Sequence, residues 1–137
     1  MTFLVERLAD LRQHLQHLRE LAPRAGSADA LRRDLSLHND VLFSLLVVCQ
    51  AVIDIAGELA ARRGIRFQDY TEAVRALRGI DGMPGELVGQ LEGLPGFRNV
   101  LIHEYVALDY GRVIEALGQL EAIERFVRIV AGLEASS

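Results

Sequence analysis

The sequence contains no lysine and only one cysteine, and both shortages limit what the protein can be. Because Cys49 is alone, no disulfide can form within the chain, and a reducing compartment such as the cytoplasm fits this composition. All 15 basic residues are arginines. A GC-rich genome would produce this bias, and so would a preference for bidentate contacts to phosphate.

The motifs of several common site types are also missing. The chain has no Cys-x-x-Cys pair, no His-Glu-x-x-His, no glycine-rich phosphate loop with a lysine and no nucleophile elbow. His14 and His17 are spaced i, i+3, but they stand among Gln13 and Gln16, which is more typical of a solvated helix face than of a metal site. We therefore expect neither a metal nor a cofactor.

Charge and hydropathy argue against two further classes of protein. The net charge of −4 disfavours broad electrostatic capture of nucleic acid, although it leaves room for a local basic site. Residues 2–7 lack the basic and apolar regions of a signal peptide. The most apolar stretch, Val41 to Ile53, is shorter than a membrane span, and Gln50, Asp54 and Glu58 then form a polar stripe. These features predict a buried helix of a soluble protein and not a membrane-spanning helix.

The apolar pattern predicts a single all-α domain over residues 1–137. Half of the residues are hydrophobic and a quarter are charged, which is typical of a globular protein. A first helix has leucines at helical spacing from Leu4 to Leu21 and ends before Pro23. No segment shows the alternation of a strand. The architecture we expect is an up-and-down helical bundle with extra short helices near one end.

Capping residues and helix breakers give the approximate bounds of the later helices. We predict a long helix from Ser27 to about Arg63 ended by Gly64, a helix from Asp69 to about Arg78, a short one from Pro84 to about Gly93, one beginning near Phe97 after a break at Leu94-Pro95-Gly96, and a last one capped by Asp109 that runs from Tyr110 to Val130 and ends at Gly132.

Five chemically capable side chains fall within eight residues of the segment that follows this break. The segment holds Arg98, Asn99, His103, Glu104 and Tyr105. Histidine titrates near neutrality, so it can take the proton from an attacking 2′-hydroxyl or give one to a leaving 5′-oxygen. A guanidinium can bind the extra negative charge of the pentavalent phosphorus. These residue types therefore suit metal-independent cleavage of RNA.

Helix geometry limits how the two central residues can cooperate. Arg98 and His103 are five residues apart, which places them about 140° apart around a helix. They converge on one phosphate if the arginine reaches around, if the helix bends, or if a second protomer supplies one of the pair. The plain alternative is a short interior helix whose polar groups cap its neighbours.

At these residues the chain resembles the HEPN superfamily, and within it the HepT-type toxins. The family pattern Arg-x4-His-x-Tyr is met by Arg98, His103 and Tyr105, with Asn99 as the polar residue that usually follows the arginine. The segments 37–40, 50–56 and 67–70 are similar to the family as well. The resemblance covers nearly the whole chain.

The resemblance implies an α-helical bundle that forms homodimers and acts as a metal-independent endoribonuclease toxin. It implies that Arg98 binds phosphate, that His103 is the general acid or base, and that Asn99 positions the substrate. It further implies that a nucleotidyltransferase antitoxin of the MNT type can attach AMP to Tyr105, which also contacts RNA. Asp54 either orients the motif across the bundle or serves as a capping or salt-bridge residue.

Two other hypotheses compete with the toxin. A non-catalytic HEPN module would only hold RNA or a nucleotidyltransferase partner, and the acidic net charge fits that reading. A purely structural helical dimer is the third hypothesis, and the cluster from Arg98 to Tyr105 argues against it. The intact Arg98, His103 and Tyr105 favour the ribonuclease.

Overall fold

A computed structural model describes residues 2–103 and 108–136, and every regular element in this part of the chain is helical. The α-helices are α1 (Thr2–Leu21), α2 (Ala28–Arg33), α3 (Leu35–Arg62), α4 (Tyr70–Arg75), α5 (Gly85–Leu91), α6 (Leu94–His103), α7 (Tyr110–Leu117) and α8 (Leu120–Ser136), with short 3-10 turns at Ala22–Arg24 and Ala76–Gly79. The predicted all-α bundle with extra short helices is confirmed.

Helix α3 is the central element of the bundle. It contacts α1 along much of its length and also packs against α2, α4 and α6, while α8 closes the other side of α1 and contacts α5. Residues on several sides of α3 are buried as a result, among them Val48, Ala51 and Ile53. This explains why the middle of the helix is apolar nearly all round.

The predicted leucine stripe of α1 lies in the core. Its members, Leu4, Leu8, Leu11, Leu15, Leu18 and Leu21, are all buried. The predicted stripe near the C-terminus is buried too, at Val113, Leu117, Leu120, Ile123, Val127 and Val130. Burial of large apolar side chains contributes roughly 1.5–3 kcal/mol each relative to exposure, so these two stripes hold α1 and α8 on the bundle.

Three predicted helix signals act as expected. The Ser27 side chain accepts a hydrogen bond from the backbone N–H of Ala30, and the Asp69 side chain accepts one from the N–H of Glu72 at 2.8 Å. Gly64 follows the end of α3 with a φ of +69°. Its N–H donates to the Ala61 carbonyl and the next N–H, from Ile65, donates to the Ala60 carbonyl. This pair of bonds is the Schellman motif, in which glycine adopts the left-handed conformation without a steric penalty.

The single long helix predicted from Ser27 to Arg63 is wrong, because the chain breaks at Asp34. This residue has φ −124° and ψ 99°, and its side chain accepts a hydrogen bond from the N–H of Leu37 at 3.1 Å. A short acidic side chain competes for backbone N–H groups and favours helix starts over helix interiors. Asp34 therefore ends α2 and caps α3.

The single last helix is also wrong in two respects. Asp109 caps α7 as predicted, by accepting from the N–H of Gly111 at 2.8 Å, but α7 ends at Leu117. The Gly118 N–H donates to the carbonyls of Ile114 and Glu115, and α8 starts two residues later. Gly132 does not end α8, which continues to Ser136.

The length argument against a membrane span is wrong, because α3 as a whole is long and apolar enough to cross a membrane by length and composition alone. More than half of its most apolar window, 56 %, is buried inside the protein. The core helix of a soluble bundle has the same length and composition, and the contacts of α3 with four neighbouring helices are those of a core helix.

Candidate functional site

Helix α6 carries the predicted site, and it starts earlier than the sequence indicated. The residues Leu94-Pro95-Gly96 form its first turn and do not break the chain. Proline is tolerated there because its missing N–H would have no partner within the helix. Pro95 and Phe97 are buried, so they fix the start of α6 on the bundle and leave Arg98 and Asn99 at its outer side.

The guanidinium of Arg98 is held from three directions. Its Nε donates a hydrogen bond of 2.6 Å to Oε1 of Gln50 on α3, and its Nη1 donates to Oδ1 of Asn99 at 3.0 Å. The ring of Tyr70, at the start of α4, lies with its centroid 5.3 Å from the Arg98 Cζ atom, within the range of a cation–π contact. Three helices therefore meet around this side chain.

A second hydrogen bond extends this network along α3. The Gln50 Nε2 atom donates to Oδ1 of Asp54 at 2.8 Å. Asp54, which the sequence offered as an orienting residue, thus reaches Arg98 only through Gln50. The structure brings Asp54, Gln50, Arg98 and Asn99 into one continuous polar chain.

Arg98 faces a surface groove between α1, α3 and α6. The groove has a volume of about 330 Å³ and is lined by Arg7, Asp10, Leu46, Val47, Gln50, Ala51, Asp54, Arg98 and Ile102. Arg7 is paired with Asp10 on its own helix at 2.8 Å. The described contacts of Arg98, in contrast, are two neutral amide oxygens and an aromatic ring, so no carboxylate among the described residues neutralises it directly.

Of the remaining motif residues, His103 is within the part of the chain that the structure describes. His103 is the last residue of the helix and is exposed to solvent. Asn99 is also exposed, four residues earlier, so the two residues share one stripe of the helix as the sequence predicted. Tyr105 and Glu104 lie outside the described residues, so their positions relative to Arg98 stay predictions.

Cys49 lies on the buried side of α3, next to Gln50 in the sequence. Burial raises the pKa of its thiol to about 12, and the nearby positive charge of Arg98 opposes this shift. A thiol with so high a pKa is protonated at neutral pH and is a poor nucleophile. Cys49 is therefore a packing residue behind the site.

The other histidines occupy different surfaces. His14 and His17 lie partly exposed on the side of α1 that faces α3: His14 Nδ1 lies 2.9 Å from Ser44 Oγ, and His17 Nε2 lies 3.7 Å from Asp40. Burial lowers the pKa of His14, which Asp10 opposes and His17 assists. Across residues 2–103 and 108–136, no three His, Cys, Asp or Glu side chains are placed to hold a metal ion.

Gln50, Tyr70 and Arg7 are site residues that were not predicted from the sequence. The stripe of Gln50 and Asp54 was visible as an i, i+4 pair, but nothing in the sequence directed it toward Arg98. Tyr70 lies in a segment similar to the family, whereas Arg7 gave no signal. Only the packing of α4 and α1 beside α3 brings Tyr70 to Arg98 and Arg7 to the groove.

Comparison with known proteins gives concordant results. The family model described as ribonuclease HepT-like matches residues 11–130. The mRNA nuclease HepT of Shewanella oneidensis is 21 % identical over 129 residues, which cover 93 % of this chain and 95 % of that protein.

Solved structures share the fold. A tri-AMPylated HEPN toxin of Shewanella oneidensis, solved in complex with MNT antitoxin, matches with a TM-score of 0.81 and 21 % identity over 96 % of this chain and 98 % of that one. A toxin–antitoxin structure with AMP-PNP matches with a TM-score of 0.78 and 20 % identity over 95 % and 98 %. Since the family model covers most of its length, the chain belongs to the HepT-like ribonuclease family.

Proposed function

We propose that this protein is a metal-independent endoribonuclease and the toxin of a toxin–antitoxin pair, neutralised by a nucleotidyltransferase antitoxin of the MNT type. The observation that carries the proposal is the state of Arg98. Eight of the 15 arginines are paired with a carboxylate, as Arg62 is with Glu58 and Glu134. Arg98 is fixed by neutral acceptors beside an open groove, which leaves its positive charge for an anionic ligand.

Arg98 presents the edge that a phosphate needs. A guanidinium has five N–H groups, of which Gln50 accepts the one on Nε and Asn99 accepts one on Nη1. The second Nη1 hydrogen and both Nη2 hydrogens are then the donors for two phosphate oxygens, in the bidentate geometry that arginine favours. Charge that develops on those oxygens during cleavage is stabilised by the same contacts.

His103 moves one of the two protons in this mechanism, and water takes or supplies the other. The 2′-hydroxyl of the RNA loses its proton as its oxygen attacks the phosphorus, and the bond to the 5′-oxygen breaks as that oxygen gains a proton. This leaves a 2′,3′-cyclic phosphate on one fragment and a free 5′-hydroxyl on the other. His103 serves as the general acid or base, and its exposure at the end of α6 gives RNA direct access to it. Asn99 positions the substrate.

We also propose a homodimer, with the groove at its interface. Phe3 lies beside the groove residue Arg7, whose Cζ is 5.7 Å from the Phe3 ring centroid, and Phe43 lies one turn before Leu46 and Val47 on α3. Their side chains are 43 % and 60 % exposed, so they add apolar surface next to the groove. Partly exposed Leu46, Val47 and Ile102 continue this apolar surface into the groove itself. A second protomer on this surface would bring its own His103 toward the first protomer's Arg98, which relieves the separation of about 140° within one helix.

Neutralisation is proposed to act on Tyr105. Attachment of AMP there adds a phosphate charge and bulk two residues beyond His103, and both disfavour an RNA phosphate at Arg98. Tyr105 itself contacts RNA in the active toxin. We place both proteins of the pair in the cytoplasm, where the RNA substrate is.

The test is cleavage of total RNA by the purified protein in the presence of EDTA. Wild type should cleave, Arg98→Ala should lose about 10²–10³-fold in rate, and His103→Ala about 10²–10⁴-fold. Arg66→Ala and His17→Ala remove the same residue types outside the groove and should retain activity. If either site variant cleaves as wild type does, its assigned role is wrong.

A silent wild type has two explanations that intact mass separates. A mass raised by one or more AMP groups would mean an enzyme already modified, and Tyr105→Phe should then be unmodified and active. An unmodified but inactive wild type would favour the alternative, a HEPN module that binds RNA or a nucleotidyltransferase without cleaving.

A further inference from the structure

Gln50 is the one residue of the described network that touches both a carboxylate and the site arginine. Its Nε2 donates to Asp54 at 2.8 Å, and its Oε1 accepts from Arg98 Nε at 2.6 Å. An ionised carboxylate can only accept hydrogen bonds, and a guanidinium can only donate them. Asp54 on one side and Arg98 on the other therefore require a single orientation of the Gln50 amide.

We propose that Gln50 is a positioning residue for RNA cleavage, and that Asp54 acts through it by fixing its amide. This inference rests on the proposed ribonuclease function. Gln50 binds the inner nitrogen of the guanidinium, Nε, while the Tyr70 ring centroid lies 5.3 Å from its Cζ atom. With one Nη1 hydrogen taken by Asn99, the remaining Nη hydrogens are left for a substrate phosphate before any substrate arrives.

The chemistry favours an amide over a carboxylate at this position. A carboxylate in direct contact with Arg98 would cancel its charge and compete with the RNA phosphate, as Glu58 and Glu134 engage Arg62. Gln50 provides the same acceptor geometry without a charge. The negative charge of Asp54 stands one side chain farther away, where it orients the amide but does not occupy the guanidinium.

The energetic benefit of Gln50 is pre-organisation of the arginine. An arginine side chain has several rotatable bonds, and a misplacement of about 1 Å at a reacting centre costs up to about 100-fold in rate. Arg98 without Gln50 keeps its charge and still attracts RNA, so substrate binding survives while the transition state loses its aligned donors. The proposal therefore predicts a loss in kcat with little change in KM.

The experiment compares three variants of the full-length protein with wild type. Gln50→Leu removes the acceptor. A double variant, Gln50→Glu with Asp54→Asn, keeps both hydrogen bonds but places the negative charge against Arg98. Gln13→Leu, at an exposed position of α1, is the matched control. Each protein is assayed for kcat and KM on RNA with EDTA, and the exchange of the Arg98 Nε–H with solvent is followed by NMR.

Gln50→Leu should expose the Arg98 Nε–H to exchange and lower kcat about 10- to 100-fold, with KM within a few-fold of wild type. The double variant should keep the Nε–H protected but raise KM by at least about tenfold, as expected from losing one charged contact to phosphate. Gln13→Leu should match wild type in both measurements.

Two results would overturn the proposal: a Gln50→Leu enzyme with wild-type kcat, or one whose Arg98 Nε–H remains protected. The double variant keeps the test decisive if Gln50→Leu does not fold, because wild-type KM in that protein would show that a charge beside Arg98 is harmless. Failure of the proposed function is a separate result. It appears as a wild-type protein that is unmodified and does not cleave RNA, whether or not its Arg98 Nε–H is protected from exchange.

Discussion

The buried thiol of Cys49 offers a quantitative test of how the site is packed. Cys49 is 1 % exposed, and burial raises its pKa from an ordinary 9.0 to about 12. The thiolate is the species that reacts with alkylating reagents. Because the chain has only one cysteine, every alkylation event reports on this position.

The expected effect follows from the thiolate fraction. At pH 8 a thiol with the ordinary pKa is about one-tenth ionised, whereas a pKa of about 12 leaves about one molecule in 10⁴ ionised. Alkylation of native Cys49 should therefore be about a thousandfold slower than that of the unfolded chain. Steric exclusion by α3 and its neighbours can only slow it further.

The assay is reaction with iodoacetamide followed by intact mass, for native protein and for the same protein in urea. Glutathione in each solvent corrects for the effect of urea on the reagent. The native rate should also keep rising tenfold per pH unit up to pH 10, whereas the unfolded chain levels off near pH 9. A native rate within tenfold of the unfolded rate would refute the buried, protonated thiol behind Arg98.

Four further predictions rest on the described contacts. Arg98→Lys keeps a positive charge but cannot donate hydrogen bonds to Gln50 and Asn99 as a planar guanidinium does. The kcat for RNA cleavage should therefore fall about 100-fold in a single-turnover assay. The affinity for RNA in a binding assay should change far less. Burial lowers the pKa of His14 below 6.5, so as the pH falls the unfolded state takes up a proton on this residue before the folded state does. The free energy of unfolding of wild type should therefore fall relative to that of His14→Gln as the pH drops from 7.5 to 5.5. Urea unfolding at each pH checks this sign. Gly132→Ala should raise the free energy of unfolding by about 0.5–1 kcal/mol, because its new Cβ meets nothing within 4 Å. Gly57→Ala should gain less than half of that, since its Cβ would lie 3.2 Å from Cζ of Phe67, and equal gains in urea unfolding would contradict the close contact.

Composition and periodicity predicted the fold class correctly for a physical reason. The leucine spacing from Leu4 to Leu21 requires one buried helix face, and the six leucines are buried. Local capping chemistry at Ser27, Gly64, Asp69 and Asp109 was also recognisable, since each cap depends on residues adjacent in sequence.

Helix interruptions were harder to predict. The breaks at Asp34 and Gly118 lie inside patterns that are helical on both sides, so the apolar period continues through them. Pro95 led to the opposite error, since a helix break was predicted where α6 begins. A proline can follow the end of one helix or occupy the first turn of another. Which of these occurs depends on the packing of neighbouring helices.

The sequence by itself determined that this protein is a helical bundle and that Arg98, Asn99, His103 and Tyr105 are close in the chain, because periodicity and motif spacing are local properties. Only the tertiary structure decided the surroundings of Arg98. Gln50 is 48 residues away in sequence, and Tyr70 belongs to a third helix, yet both contact the guanidinium. The packing of α4 and α6 against α3 brings these residues to Arg98, and it determines which groups contact the arginine beside the groove.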